Sequence, residues 1–95
     1  MTKNLASLKK IIVPILKKNN VTKAGIFGSY ARGDYTKKSD IDILIKFKGQ
    51  KSLLDLVRLE RELKTKIKKK IDVVTYNSLH PLLKEKILKE EVKLI

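Results

Sequence analysis

The chain has 95 residues, the size of one small domain, and we expect residues 1–95 to form a single domain. Its 23 Lys and Arg residues outnumber its 10 Asp and Glu residues. The resulting formal charge of +13 favours nucleotides, nucleic acids or acidic proteins as partners. The absence of cysteine excludes disulfides, zinc–thiolate sites and thiol catalysis.

No segment has the features of a membrane span or of a secretory signal. The longest apolar run, 11–16, has six residues and includes Pro14. A spanning helix needs about 20 apolar residues. The first four residues lack the apolar region of a signal peptide. We therefore expect a cytoplasmic protein without a membrane partner.

The first half of the chain predicts alternating helices and strands. The predicted elements are, in order, a helix at 4–18, a strand at 21–27, a turn with a short helix at 28–33, a polar loop at 34–39 and a strand at 40–47. Pro14 is expected to kink or divide the first helix. Along the second strand the isoleucines face one side, and Asp40 and Asp42 face the other. Apolar residues on both faces beyond Asp42 predict a central strand.

The second half predicts a helix at 52–66, a strand at 71–76, a helix at 79–91 and a short extended tail. Ser52 begins the third helix with a predicted capping box, and Asn77 or Ser78 is the predicted cap of the last one. His80 is expected to have a surface or capping role. The alternating order predicts an α/β (α+β) fold, a small mixed sheet of three to four strands backed by helices.

Asp40 and Asp42 are the first candidates for a functional site. Residues at i and i+2 of a strand share a face, about 7 Å apart, a spacing that can flank a pair of divalent cations. A capping role at the start of the strand is the alternative. Two carboxylates near a core repel each other unless a cation or donor compensates, and this favours the metal-ligand interpretation.

Gly28 and Ser29 come directly after a predicted strand. The amides at the start of a short helix can bind phosphate, although an ordinary strand-to-helix turn has the same geometry. Asp72 is an acid among apolar residues of the third strand, where Asp is disfavoured. It can supply a third carboxylate beside Asp40 and Asp42, or face solvent at the sheet edge.

The spacing of Gly28-Ser29, ten residues, and then Asp40-Ile41-Asp42 resembles the motif of the polymerase-beta-like nucleotidyltransferase superfamily. The surrounding order of strands and helices resembles it as well, over essentially the whole chain. The short length and the wording Gly-Ser-Tyr-Ala-Arg-Gly at 28–33 are most similar to the minimal nucleotidyltransferases (MNT), the antitoxin partners of HEPN-domain ribonuclease toxins.

The resemblance implies a role for each motif residue. Gly28 and Ser29 would bind the β- and γ-phosphates of ATP. Asp40, Asp42 and Asp72 would be the catalytic metal ligands for two Mg²⁺ ions. For Arg32, a contact with phosphate and a structural pair with an acid are equally open. Lys37 and Lys38, in the loop before Asp40, are weaker candidates for a phosphate contact.

The resemblance therefore implies a Mg²⁺-dependent nucleotidyltransferase that moves AMP from ATP to a hydroxyl of a HEPN toxin. Two other hypotheses stay open. One is a non-catalytic binding module that inhibits a toxin by occlusion. The other is a basic nucleic-acid-binding protein. It is less favoured because 20 of the 23 basic residues are scattered lysines and stacking aromatics are few.

Overall fold

The computed structural model describes residues 5–36, 38–49 and 51–95, which form one four-stranded sheet with helices packed against it. The helices are α1 (Leu5–Lys18), α2 (Ser29–Arg32), α3 (Leu53–Ile67) and α4 (Pro81–Glu90). The strands are β1 (Val21–Phe27), β2 (Ile41–Phe47), β3 (Ile71–Thr75) and β4 (Val92–Lys93). The predicted mixed α/β fold is confirmed.

The strand order is β3-β2-β1-β4, and β2 is a central strand, as predicted. β1 pairs antiparallel with β2 and with β4, whereas β2 and β3 are parallel. Because β2 and β3 are parallel, their amino ends lie side by side. The carboxyl end of the antiparallel β1 lies next to the amino end of β2, and the candidate site residues meet at these strand ends.

The core lies between one face of the sheet and helices α1 and α3. The isoleucines of β2 are fully buried on that face, together with apolar residues of both helices: Leu8, Ile12, Leu16, Leu59, Leu63 and Ile67. Leu44, on the other face of β2, is also fully buried. Burial on both faces of β2 agrees with its central position in the sheet.

Several element ends differ from the sequence prediction. α1 continues through Pro14 as one helix, so of the two predicted effects of Pro14 the division of the helix is wrong. β3 ends at Thr75, and a 3₁₀ turn follows at Tyr76–Ser78. α4 therefore begins at Pro81, and its cap is His80, whose Nδ1 accepts a hydrogen bond from the Leu82 amide at 3.1 Å. The predicted capping box of Ser52 is present.

Within the described ranges, no helix combines the length and the apolar character that crossing a bilayer requires.

Candidate active site

The candidate site lies where the amino ends of β2 and β3 meet the carboxyl end of β1. Asp42 is the second residue of β2 and is in register with Asp72 of β3 on one side and with Phe27 of β1 on the other. Neighbouring strands are about 4.8 Å apart, so Asp42 and Asp72 project side by side from one face. Asp40 precedes β2 by one residue and is exposed, as is Asp72, whereas Asp42 is partly buried.

The electrostatics of Asp42 reflect this crowding. Its pKa is raised above the ordinary value, first by burial and then by the negative charges of Asp72 and Asp40. The positive charge of Arg32 acts in the opposite direction. Because repulsion between the carboxylates exceeds what Arg32 compensates, the cluster favours the approach of a cation.

Gly28 brings the end of β1 close to Asp42. Its backbone has φ 73° and ψ −149°, a conformation that is accessible essentially to glycine alone. A Cβ at this position would lie 3.3 Å from Cγ of Asp42 and closer still to Oδ2. A glycine is therefore required both for the turn and for the position of the carboxylate.

The turn that begins at Gly28 leads directly into α2. The Gly28 carbonyl accepts hydrogen bonds from the amides of Ala31 and Arg32, each at 3.1 Å. The short helix ends at Gly33, which has a left-handed conformation and donates its N–H to the Ser29 carbonyl at 2.9 Å. Gly28 and Ser29 thus stand at a helix start directly beside Asp42, the geometry that their motif predicts.

Sequence reasoning missed a contact that ties α2 to the strand carrying Asp72. Lys69 Nζ, two residues before β3, donates a 2.7 Å hydrogen bond to the Tyr30 hydroxyl. The Tyr30 ring is buried and stacks on Tyr35 with centroids 4.2 Å apart. No pattern marks Lys69 among 20 lysines, so only the fold reveals its position.

Arg32 has the structural pairing that the sequence left open. Its guanidinium lies 3.2 Å from an Asp34 oxygen and 3.4 Å from a Glu90 oxygen, and so joins α2 to the end of α4. Its side chain is about half exposed, and its positive charge opposes the rise in the pKa of Asp42 that burial causes. Lys38 is exposed in the loop before Asp40, and Lys37 is outside the described residues.

The donor set suits Mg²⁺ only in part. Among the described residues, no three His, Cys, Asp or Glu side chains converge as a ready-made metal cage. Mg²⁺ usually keeps several waters and is held by one or two carboxylates together with substrate phosphates. Burial and the mutual repulsion of Asp42 and Asp72 raise the pKa of Asp42. The two carboxylates fit an open site of that kind and not a closed protein cage.

A second polar cluster lies on the same face of the sheet, away from the carboxylates. The Tyr76 hydroxyl donates a hydrogen bond to Glu91, and the Lys23 ammonium lies 4.7 Å from the centre of the Tyr76 ring. Burial, followed by the Glu91 charge, raises the pKa of Tyr76. These contacts tie the segment after β3 to the end of α4.

A mixed sheet with paired carboxylates beside a Gly-Ser turn is typical of nucleotidyltransferases. The family model described as "Polymerase beta, Nucleotidyltransferase" matches residues 9–95. The chain belongs to this family and is an enzyme of the nucleotidyltransferase class.

Individual relatives agree with this assignment. The chain is 54% identical over 92 residues to "Putative protein adenylyltransferase MJ0435" of Methanocaldococcus jannaschii, covering 97% of this chain and 99% of the relative. A solved structure described as "putative minimal nucleotidyltransferase" is 29% identical, covers 95% of each chain and has a TM-score of 0.82. A further structure, of a tri-AMPylated Shewanella oneidensis HEPN toxin in complex with MNT antitoxin, is 20% identical with a TM-score of 0.74. It covers 93% of this chain and 69% of the other, and this likeness concerns the fold alone.

Proposed function

We propose that this single domain is a Mg²⁺-dependent protein adenylyltransferase that moves AMP from ATP to a hydroxyl of a HEPN toxin and thereby acts as its antitoxin. The observation that carries the proposal is the register of Asp42 with Asp72 beside the Gly28 turn. This register brings the candidate metal ligands and a candidate phosphate site together at the same end of the strands. The relative named as a protein adenylyltransferase supports ATP as the donor of AMP, and the fold neighbour in complex with an AMPylated HEPN toxin supports such a toxin as the acceptor.

The reaction is an in-line displacement at the α-phosphorus of ATP. The acceptor hydroxyl oxygen forms a bond to that phosphorus, the bond to the bridging oxygen of the β-phosphate breaks, and pyrophosphate leaves. Two Mg²⁺ ions would neutralise charge on the leaving group and increase the acidity of the acceptor hydroxyl.

The residues of the chain have separate parts in this scheme. The amides at Gly28 and Ser29 bind the β- and γ-phosphates, which fixes the α-phosphorus in front of the carboxylates. Asp40, Asp42 and Asp72 would hold the cations, and Asp72 would also take the proton of the acceptor hydroxyl. Arg32 adds positive charge beside the triphosphate from its anchored position between Asp34 and Glu90.

A transfer assay tests the proposal. The purified chain is incubated with Mg²⁺, ATP labelled at the α-phosphate, and the product of the neighbouring gene, which we expect to be a HEPN toxin. We expect label on the HEPN protein with the wild type and none with Asp40→Asn/Asp42→Asn. Glu85→Gln is the matched control, because Glu85 is an exposed acid of α4 that pairs with Lys89 and lies outside the carboxylate cluster.

Two outcomes of this assay would overturn the proposal. One is the absence of transfer by folded wild-type protein, and the other is equal transfer by the double variant. If the double variant still neutralises the toxin fully, occlusion is the better explanation.

A further inference from the structure

Helix α3 has an apolar surface on its outer side in addition to the one it packs into the core. Its inner side is complete, since Leu59, Leu63 and Ile67 are at most 1% exposed. On the outer side, Leu53 is 76%, Leu54 57% and Val57 44% exposed; we call these three residues the outer patch. At about 100° per residue they lie within an arc of about 100°. The outer side of an amphipathic helix is normally polar, so the fold of this chain does not explain the patch.

Arginine accompanies the outer patch. Arg58 and Arg61 are exposed on the same side of α3, and they are two of only three arginines in the chain. Neither forms an ion pair with another residue of the described ranges. Lysine is the usual basic residue in this chain, yet both basic residues beside the outer patch are arginines. Its planar guanidinium binds carboxylates with two hydrogen bonds, and arginine is enriched in protein interfaces.

The chemistry of the patch selects among occupants. A twofold dimer through this surface would bring the arginines of both copies into one interface, and two chains of charge +13 would repel each other. Nucleic acid offers phosphates to the arginines but has no counterpart for three exposed aliphatic side chains. A protein with an apolar spot surrounded by carboxylates complements both parts of the surface.

We propose that the outer patch, together with Arg58 and Arg61, docks the acceptor protein through an apolar spot surrounded by Asp and Glu. This inference rests on the proposed function only in that the docked protein is the one that is adenylylated. The acceptor protein would thus contact this chain at two places. One is the anchoring surface on α3, and the other is the carboxylate cluster, where its hydroxyl reacts.

The location of the patch determines which kinetic constant it controls. α3 begins after the carboxyl end of β2, whereas Asp42 is at the amino end. Asp42 and Phe47 are about 17 Å apart along the strand at ~3.3 Å per residue. The outer patch therefore contacts no reacting atom, and its loss weakens acceptor binding without slowing the chemical step.

A pair of leucine variants tests this inference against a closely matched control. Leu53→Gln/Leu54→Gln removes the patch, and glutamine keeps a good helix propensity. Leu82→Gln/Leu83→Gln is the control. These residues are 84% and 55% exposed in the first turn of α4, and no arginine accompanies them. Binding of the HEPN protein is measured by titration calorimetry without nucleotide, and AMP transfer is measured separately over a range of acceptor concentrations.

We expect Leu53→Gln/Leu54→Gln to weaken binding at least tenfold, as truncation of interface anchors does, and to raise KM for the acceptor with kcat and ATP affinity unchanged. The α4 variant binds like the wild type. Arg58→Lys/Arg61→Lys keeps the charge but loses the paired hydrogen bonds, and is expected to weaken binding severalfold.

The inference is overturned if the α3 variant binds as tightly as the wild type, or if both leucine variants weaken binding equally. Its failure is distinguishable from failure of the proposed function. Transfer by the wild type with an unaffected α3 variant refutes the docking surface alone. Binding that depends on the patch without any AMP transfer refutes the adenylyltransferase and leaves the docking surface in place.

Discussion

Gly28→Ala is the substitution for which the structure gives the most detailed expectation. The backbone at this residue has φ 73° and ψ −149°, and holding alanine there costs about 1–3 kcal/mol. The new Cβ would also be 3.3 Å from Cγ of Asp42 and nearer to its Oδ2. Overpacking of this kind costs about 1–3 kcal/mol. We therefore expect a total loss of about 4 kcal/mol, which in a domain of this size lowers Tm by about 16–32 °C.

Gly49→Ala is the matched control for this experiment. Gly49 has the same φ of 73°, but nothing lies within 4 Å of the Cβ that alanine would add. Alanine at position 49 therefore costs about 1–2 kcal/mol of backbone strain and introduces no clash. Since Gly49 is in the turn after β2, away from the carboxylates, AMP transfer is expected to be unchanged.

The two variants are compared by thermal unfolding and by AMP transfer at a temperature at which both are folded. Gly28→Ala must push Asp42 from its position, and a displacement of about 1 Å at a reacting group costs roughly 100-fold in rate. If Gly28→Ala transfers AMP as fast as Gly49→Ala, the close approach of Gly28 to Asp42 is not a requirement of the site, and the reasoning is refuted.

Three further substitutions test individual contacts. Asp42→Asn removes a carboxylate whose pKa is raised, so in metal-free buffer it should stabilise the fold at pH 7, by no more than about 1 kcal/mol because the group is half exposed. The folded state holds this proton more tightly than the unfolded state, so the advantage must shrink as pH falls towards 4; a constant difference in Tm would contradict it. Tyr30→Phe deletes the hydrogen bond from Lys69, and we expect a loss of about 1 kcal/mol together with slower AMP transfer. Unaltered kcat would show that this contact does not position the site. Tyr76→Phe removes the hydrogen bond to Glu91 and should cost about 1 kcal/mol in chemical denaturation with AMP transfer intact; a fall in transfer would connect this cluster to catalysis.

Local patterns in the sequence were sufficient to predict most of the fold. Alternation of isoleucine and aspartate along β2 predicted which face is buried, and the structure confirms it. The capping box of Ser52 depends on a spacing of three residues and was also predicted. The last helix was less predictable, because the 3₁₀ turn at Tyr76–Ser78 displaces its start to Pro81. Tyr76, the first residue of that turn, contacts Lys23 and Glu91, which are distant in sequence.

The candidate site divides in the same way. Gly28, Ser29, Asp40 and Asp42 were found from their spacing, because that motif lies within 15 consecutive residues. Asp72 is predicted to lie beside them only through the expectation of a neighbouring strand, and the structure shows that it is in register with Asp42. The pairing of Arg32 with Glu90 and of Lys69 with Tyr30 spans 58 and 39 residues of sequence. Such pairs carry no local signal, so they emerge only from the folded chain.

The most direct test of the central claim is the stoichiometry of the reaction between this chain, ATP, Mg²⁺ and the HEPN protein that we propose as its partner. Intact-protein mass spectrometry counts the adenylyl groups gained by the HEPN protein, and a coupled assay counts the pyrophosphate released. Attack at the α-phosphorus predicts one pyrophosphate for each adenylyl group, with both quantities falling to background in Asp42→Asn. Release of inorganic phosphate in place of pyrophosphate, or neutralisation of the toxin without any gain in mass, would contradict the account.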